Sequence, residues 1–129
     1  MWRAFQSSSG DLKQMKLIGS EGEDLAVNFL KDKGYKIISR NYKTPIGEID
    51  VVAKDGETLV FVEVKTRTTD SFGYPFEAVN SKKRHKLKNL ALLYLKKHKK
   101  DCAVRFDVMS IHMNNDKKEI EHIEDAFEV

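Results

Sequence analysis

Two neighbouring predicted strands carry charged side chains within otherwise apolar stretches. Asp50 lies in EIDVVAK, and Glu63 and Lys65 interrupt TLVFVEVKT. Because side chains alternate along a strand, Glu48 and Asp50 share one face of the second strand and Glu63 and Lys65 share one face of the third; a two-residue hairpin turn places all four on the same face of the sheet. Two nearby carboxylates raise each other's pKa unless positive charge lies between them, and Mg²⁺ binds one or two protein carboxylates. The pattern therefore indicates a divalent-cation site; the alternative is an exposed polar face on which Lys65 makes surface ion pairs.

The turn between these strands decides how close the carboxylates come. A two-residue turn at Asp55-Gly56 sets Glu48 opposite Glu63. It leaves Asp50 diagonal to Glu63, about 7–8 Å away at the backbone and within side-chain reach of one ion. A four-residue turn would also keep the four charged side chains on one face of the sheet, whereas a three-residue turn would separate them onto opposite faces.

The rest of the chain alternates between helical and strand patterns. The order α-β-β-β-α-β predicts one α/β domain, a mixed central β-sheet flanked by helices, over residues 17–129. Residues 1–16 are predicted to form a flexible N-terminal tail. An aromatic-rich loop over 67–77 either stacks on a base or packs on the core. The predicted elements are helix 19–33, strands 35–41, 48–54 and 58–66, helix 81–97, strand 104–113 and a short fifth strand at 119–123.

Positive charge is concentrated in the second predicted helix. Residues 81–100 hold nine of the 23 Lys and Arg residues and no acidic residue, whereas all 20 Asp and Glu residues lie elsewhere. An acidic body with one basic segment favours a polyanionic partner such as nucleic acid. Cations in the first helical turn oppose the helix dipole, and a bound phosphate would relieve that repulsion. The alternative is a solvated lysine-rich face. The candidate phosphate contacts are Lys82, Lys83, Arg84 and Lys86, together with Arg67 after the third strand.

Several classes of protein are excluded by composition. The single cysteine, Cys102, excludes a disulfide framework and favours a reducing compartment, so we expect a cytoplasmic protein with Cys102 as a small core residue. The chain has no apolar run long enough to cross a membrane. The four histidines show no metal-ligand spacing, and the lack of a glycine-rich phosphate loop gives nucleotide hydrolysis no support.

The spacing of Asp50 and Glu63-Val64-Lys65 resembles the Asp…(Asp/Glu)-x-Lys core of restriction enzymes, RecB-type nucleases and archaeal Holliday-junction resolvases. The wider pattern resembles the YraN-like family of small bacterial predicted endonucleases, over roughly residues 17–128. Ile49 stands where the wider nuclease pattern has proline. The matching segments are Gly19-x-x-Gly22-Glu23-x-x-Ala26, Gly34-Tyr35, Arg40-Asn41, Gly47-Glu48-Ile49-Asp50, Phe61 to Arg67, Phe72-Gly73, Lys82 and Arg105-Phe106-Asp107.

The resemblance implies a restriction-endonuclease-like core that hydrolyses DNA phosphodiester bonds, either structure-selectively or nonspecifically. Asp50 and Glu63 would bind Mg²⁺ or Mn²⁺, with the Val64 carbonyl as a third ligand. Lys65 would orient the attacking water or help to deprotonate it. Glu23 would match the acidic helix residue of resolvase-like members; alternatively, it is the capping-box partner of Ser20.

Two other functions remain open at this stage. One is a nucleic-acid-binding module of the same fold without turnover, and the other is a protein-interaction domain. Only the nucleic-acid functions predict an affinity that falls steeply with salt. A resolvase-like role would call for a symmetric homodimer.

Overall fold

The computed structural model describes residues 9–67, 81–114 and 117–127, except the side chains of residues 9–16 and 114. The predicted α/β class is confirmed, and the short fifth strand is present. The first helix begins at Ser9 rather than Gly19, so the predicted boundary between tail and domain falls inside it. The predicted loop after Arg67 lies outside the described residues. The elements are α1 (Ser9–Asp32), β1 (Lys36–Thr44), β2 (Gly47–Asp55), β3 (Thr58–Arg67), α2 (Ser81–Lys97), β4 (Val104–Asn114) and β5 (Lys117–Ile123).

The five strands form one mixed sheet in the order β1-β2-β3-β4-β5. Only β3 and β4 pair in parallel, and α2 lies between them in sequence, as a crossover connection requires. One face of the sheet packs on α2 and the other on α1. Strand β3 is therefore covered on both faces, which explains its nearly continuous apolar sequence. The core residues on the helices are Leu87, Leu90, Ala91 and Tyr94 of α2 and Ala26, Val27 and Leu30 of α1.

The β2–β3 turn differs from the predicted one by one residue. Asp55 pairs with Thr58, so the turn residues are Gly56 and Glu57. Gly56 has a φ of 61°, and a glycine with positive φ at the first central position is typical of a type II′ turn. The predicted pairing of Glu48 with Glu63 is therefore wrong. Regular pairing ends at Val51↔Val62, so Asp50 and Glu63 are the next residues on the two strands.

Strand β2 also changes face at Asp50. Val51 and Ala53 lie in the core beneath α1, whereas Ile49 and Val52 lie in the core beneath α2. Strict alternation along a strand would place Ile49, Val51 and Ala53 on one face, so the alternation expected from the sequence fails at this point. Regular pairing with β3 ends at the same place. The irregularity leaves the Asp50 side chain at the point where the two strands separate.

A buried polar network joins β4 to the end of β5 and the residues that follow it. The Arg105 guanidinium donates two hydrogen bonds of 2.9 Å to Asp107, whose side chain is fully buried. His122 Nε2 donates to Asp107 Oδ2 at 2.8 Å, and the Asp125 amide donates to Oδ1 at 2.9 Å. Burial acts to raise the pKa of Asp107, but the bonds from His122 and Arg105 outweigh it and hold the pKa below its usual range. Asp107 is therefore a buried carboxylate whose two oxygens both accept hydrogen bonds, from Arg105, His122 and the Asp125 amide.

Cys102 is exposed just before β4, so its expected core position is wrong. Its distance from the buried part of β4 explains the difference: burial in that strand begins at Phe106. No helix in the described ranges is long and apolar enough to cross a membrane.

Helix α1 approaches the sheet closely at Gly22. A Cβ at this position would overlap Thr66 Oγ1 of β3 and lie within 3.0 Å of Thr66 Cγ2 and Cβ, so rotation of the threonine cannot make room. We expect Gly22→Ala to lower the free energy of unfolding by about 1–3 kcal/mol, because α1 must move off the sheet. Gly19→Ala is the matched control: nothing lies within 4 Å of its Cβ, and alanine favours a helix by up to about 1 kcal/mol. Urea unfolding followed by circular dichroism measures both, and equal effects would contradict the close approach.

Candidate active site

The two predicted ligand carboxylates meet where β2 and β3 separate. The Val64 amide donates a 2.9 Å hydrogen bond to Asp50 Oδ2. Asp50 is half-buried, and Glu63 is only 7% exposed. The two carboxyl groups are hydrogen-bonded to each other. The structure therefore brings Asp50 and Glu63 into direct contact, closer than the diagonal arrangement expected from the sequence.

The surroundings of this pair move its two pKa values in opposite directions. Burial raises the pKa of Asp50 to about 8, helped by the hydrogen bond to Glu63 and by its negative charge. Burial also acts to raise the pKa of Glu63, but the bond from Asp50 and the contact with Lys83 outweigh it, so the pKa is lowered. At neutral pH a protonated Asp50 donates to an ionised Glu63. Two carboxylates in one site usually divide their pKa values in this way.

Two lysines complete the cluster. Lys83 Nζ of α2 lies 2.7 Å from Glu63 Oε2. The two groups form a close ion pair, and Oε2 is otherwise buried without a hydrogen-bond partner. Burial lowers the pKa of Lys65, and its contact with Lys83 lowers it further, against the attraction of Glu63. A lowered pKa makes Lys65 a better proton acceptor than a solvated lysine.

The carboxylate pair fits a hard divalent cation. Mg²⁺ and Mn²⁺ prefer carboxylate oxygens and complete their shell with water and substrate phosphate. Glu63 Oε2 is a buried oxygen lacking a hydrogen-bond partner, and one carboxyl proton is available to be displaced. Within the described residues, no group of three or more His, Cys, Asp and Glu side chains surrounds this point. The protein would therefore supply two carboxylates, with the Val64 carbonyl still a predicted third ligand.

Glu23 lies on α1 near Asp50, and its charge contributes a minor part of the upward shift in the Asp50 pKa. Its carboxylate is 4.0 Å from Arg40 Nη2, and Arg40 is bonded more closely to Asp24, at 2.7 Å. The capping-box alternative is wrong, because α1 begins at Ser9 and Ser20 lies inside the helix rather than at its start. A catalytic role for Glu23 stays a prediction.

The predicted phosphate contacts occupy different environments. Lys82 is exposed in the first turn of α2, whereas Lys83 points inward to Glu63. The Arg84 guanidinium lies over the Phe127 ring, 5.5 Å from its centroid. Lys86 is exposed, and its stem crosses the β1–β2 turn so closely that a Cβ on Gly47 would be 2.7 Å from Lys86 Cε. Arg67 is half-buried at the end of β3.

A cleft opens beside the carboxylate pair. Its volume is about 230 Å³, and its lining joins β2 and β3 to the first turns of α2. A second, shallower depression at the β1–β2 turn shares Glu48 and Lys86 with it, so the two lie side by side. The cleft residues are Glu48, Glu63, Lys83, Lys86, Leu87 and Leu90. A chain of phosphates lying along α2 would reach the carboxylates through this cleft.

The position of Lys83 beside the carboxylates was not predicted from the sequence. The signal was present, because Lys83 stands four residues before Leu87 and extends the inward stripe that continues through Leu90 and Tyr94. Because it is a lysine in a basic segment, Lys83 was instead grouped with the exposed cations as a candidate phosphate contact. Helical phase was the better guide here than residue chemistry.

Known proteins resemble this chain along most of its length. The family described as "Uncharacterised protein family UPF0102" matches residues 22–111. A UPF0102 protein of Thermodesulfovibrio yellowstonii is 56% identical over 110 residues, covering 85% of this chain and 95% of the relative. A UPF0102 protein of Geobacter metallireducens is 49% identical over 115 residues, covering 88% and 94%. Their names state no activity.

A solved structure gives a much weaker likeness. Pyrococcus furiosus SfsA in complex with Ca²⁺ is 15% identical, with a TM-score of 0.34, over 89% of this chain and 65% of that one. A score this low leaves the likeness without weight for fold or function. The family match and the extensive identities agree with the predicted resemblance. The chain belongs to the UPF0102, or YraN-like, family.

Proposed function

We propose that this protein is a metal-dependent nuclease that hydrolyses DNA phosphodiester bonds. The observation that carries the proposal is the meeting of Asp50, Glu63 and Lys65 in one cluster beside the basic helix α2. Folding alone gives no reason to place two hydrogen-bonded carboxyl groups and two lysines together at a strand junction, because like charges there reduce stability. Perturbed titratable groups at a cleft are typical of active sites.

Each residue has a defined part in this proposal. Asp50 and Glu63 would hold Mg²⁺ or Mn²⁺, with the Val64 carbonyl as a further ligand. The chemistry that such an ion supplies is polarisation of the phosphodiester and a more acidic bound water. Lys65 would orient the attacking water, accept its proton, or stabilise charge that develops on the phosphate. Glu23 would have a catalytic role as an acidic residue that approaches the site from α1.

Substrate binding would use the exposed cations around the cleft. Lys82 and Lys86 face solvent at the start of α2, and Arg67 ends the strand that carries Glu63. Such contacts hold the backbone and read no sequence, so we propose structure-selective or nonspecific cleavage. A homodimer and a cytoplasmic location belong to the same proposal. The lone exposed Cys102 is consistent with a reducing compartment.

The second candidate is a nucleic-acid-binding module of the same fold without turnover. The observation that favours it is the ion pair between Lys83 and Glu63, since an internal cation already compensates the more buried carboxylate. A binding module would keep the basic helix and its salt-sensitive affinity, but it would not cut.

A cleavage assay separates the two candidates. Wild type and Asp50→Asn are incubated with labelled duplex, single-stranded, flap and four-way-junction DNA, with Mg²⁺, Mn²⁺ or a chelator. We expect wild type to cut at least one substrate, and cutting to be lost with the chelator and in the variant. Equal cutting by both proteins would indicate a contaminant and overturn the site. Salt-sensitive binding without cutting by either protein would favour the binding module.

The exposed cations give a separate prediction about binding. We expect Lys82→Met to weaken DNA affinity to a similar degree for different sequences. It should also reduce the slope of log affinity against log salt by about one, because one phosphate contact is lost. Fluorescence anisotropy at several salt concentrations measures this. Lys36→Met on the edge strand β1, outside the cleft, is the control, and an unchanged slope for Lys82→Met would remove that residue from the interface.

A further inference from the structure

Lys83 is placed where a metal ion would be needed. Its ammonium nitrogen lies 2.7 Å from Glu63 Oε2, the oxygen that has no hydrogen-bond partner. Glu63 reaches this point from β3 and Lys83 from α2, so the contact joins two elements that are distant in sequence. The contact is a close ion pair between a flexible ammonium group and a buried carboxylate. An oxygen held in this way is open to exchange one cation for another.

The neighbouring cations do not share this position. Lys82 is exposed, and Lys86 lies against Gly47 at the β1–β2 turn. Lys83 lies four residues before the buried Leu87 on the inward stripe of α2, and its ammonium reaches Glu63. Its side chain is nevertheless 34% exposed, against 8% for Glu63. The flexible lysine stem can therefore swing into solvent while the carboxylate stays buried.

We propose that Lys83 is an internal counter-ion that occupies the metal-binding side of Glu63, and that a divalent cation binds only by displacing it. This inference rests on the proposed function, since it assumes that Asp50 and Glu63 are the ligands. Lys83 and Lys65 already bring two positive charges to the pair, and a doubly charged ion beside both would be repelled. Moving Lys83 outward removes one of these charges. It also frees the ammonium at the mouth of the cleft, where a substrate phosphate would arrive.

The displacement has a direct thermodynamic consequence. Wild type must break the Lys83–Glu63 ion pair before it binds metal, whereas a variant without that charge need not. We expect Lys83→Met, which keeps most of the apolar stem, to bind Mn²⁺ about 10-fold more tightly than wild type. We expect Lys83→Arg, which keeps the charge, to stay close to wild type.

Mn²⁺ binding to the full-length chain, followed by the loss of the free-ion EPR signal, tests the inference without nucleic acid or turnover. Lys86→Met is the matched control on the same helix, and Glu63→Gln confirms where the ion binds. Tighter binding by Lys83→Met alone supports the inference. Equal or weaker binding by Lys83→Met overturns it but leaves the nuclease proposal intact if Glu63→Gln abolishes binding. No Mn²⁺ binding by any of these proteins overturns both the inference and the metal-dependent function.

A second measurement needs no variant. In the ¹⁵N-detected lysine spectrum of wild type, the Lys83 ammonium should show the slow proton exchange of an ion-paired group. Addition of diamagnetic Mg²⁺ should shift this signal towards that of a solvated lysine, with the Lys86 signal unchanged. A Lys83 signal that stays in place at saturating Mg²⁺ would overturn the displacement.

Discussion

Replacing Asp107 with alanine should lower the free energy of unfolding by about 3–5 kcal/mol, because it removes one partner of a buried charge network. The Asp107 side chain is fully buried, and Arg105 and His122 both donate to it. Without the carboxylate, Arg105 keeps its outer contacts, which are the 2.9 Å pairing to Asp55, a hydrogen bond to the Tyr35 hydroxyl and an ion pair with Glu124. The His122 ring and the Asp125 amide lose their acceptor inside the protein. Unsatisfied buried donors cost far more than an exposed pair contributes.

Asp24→Ala is the matched control for this loss. Asp24 also pairs with an arginine, Arg40, at 2.7 Å, but its side chain is 58% exposed. An exposed pair contributes at most about 1 kcal/mol, so urea unfolding curves should separate the two variants clearly. Similar losses in both would show that burial does not set the value of the Asp107 network. Because this network lies among α1-side residues, Mn²⁺ binding by folded Asp107→Ala should stay near that of wild type.

The sequence predicts the element types because periodicity carries them. The continuous apolar run of β3 and the inward stripe of α2 specify a covered strand and an amphipathic helix. The start of α1 was missed because Ser20 and Glu23 match a capping pattern that also occurs within a helix. The strand register depended on which residue adopts positive φ, and Gly56 does so as the first turn residue. The spacing of hydrophobic residues does not indicate which residue of a turn adopts positive φ, so it could not predict the register.

The carboxylate pair of the site was predicted, but the surroundings that tune it were not. Alternation along β3 placed Glu63 and Lys65 on one face, which the contacts of both side chains with Lys83 support. The contact of Glu63 with Lys83 depends on how α2 packs across the sheet, a tertiary property. The same holds for His122, to which the sequence assigned no role and which the fold brings to Asp107, 15 residues away.

Asp50→Asn should make the metal-free protein more stable at high pH. The folded-state pKa of Asp50 is raised to about 8, above the ordinary value of about 3.9 for an unfolded chain. Its favourable contribution is therefore complete below pH 4 and is lost as the pH rises through 8. Between these values the folded state holds a proton that the unfolded state has released, and stability falls by at most about 1.4 kcal/mol per pH unit. Asparagine does not ionise and escapes this loss.

The quantity to measure is the difference in unfolding free energy between Asp50→Asn and wild type, from urea curves at pH 5 to 9 with a chelator present. We expect this difference to move in favour of the variant as the pH rises, and to level off above pH 8. Subtracting the wild-type curve cancels groups that titrate equally in both proteins. The ¹³C resonance of the Asp50 carboxyl carbon in wild type should titrate with a midpoint near 8. A midpoint near 4 with a pH-independent difference would show that Asp50 is ionised throughout. The two carboxylates would then carry their full repulsion at neutral pH, and Lys83 and Lys65 alone would have to balance it.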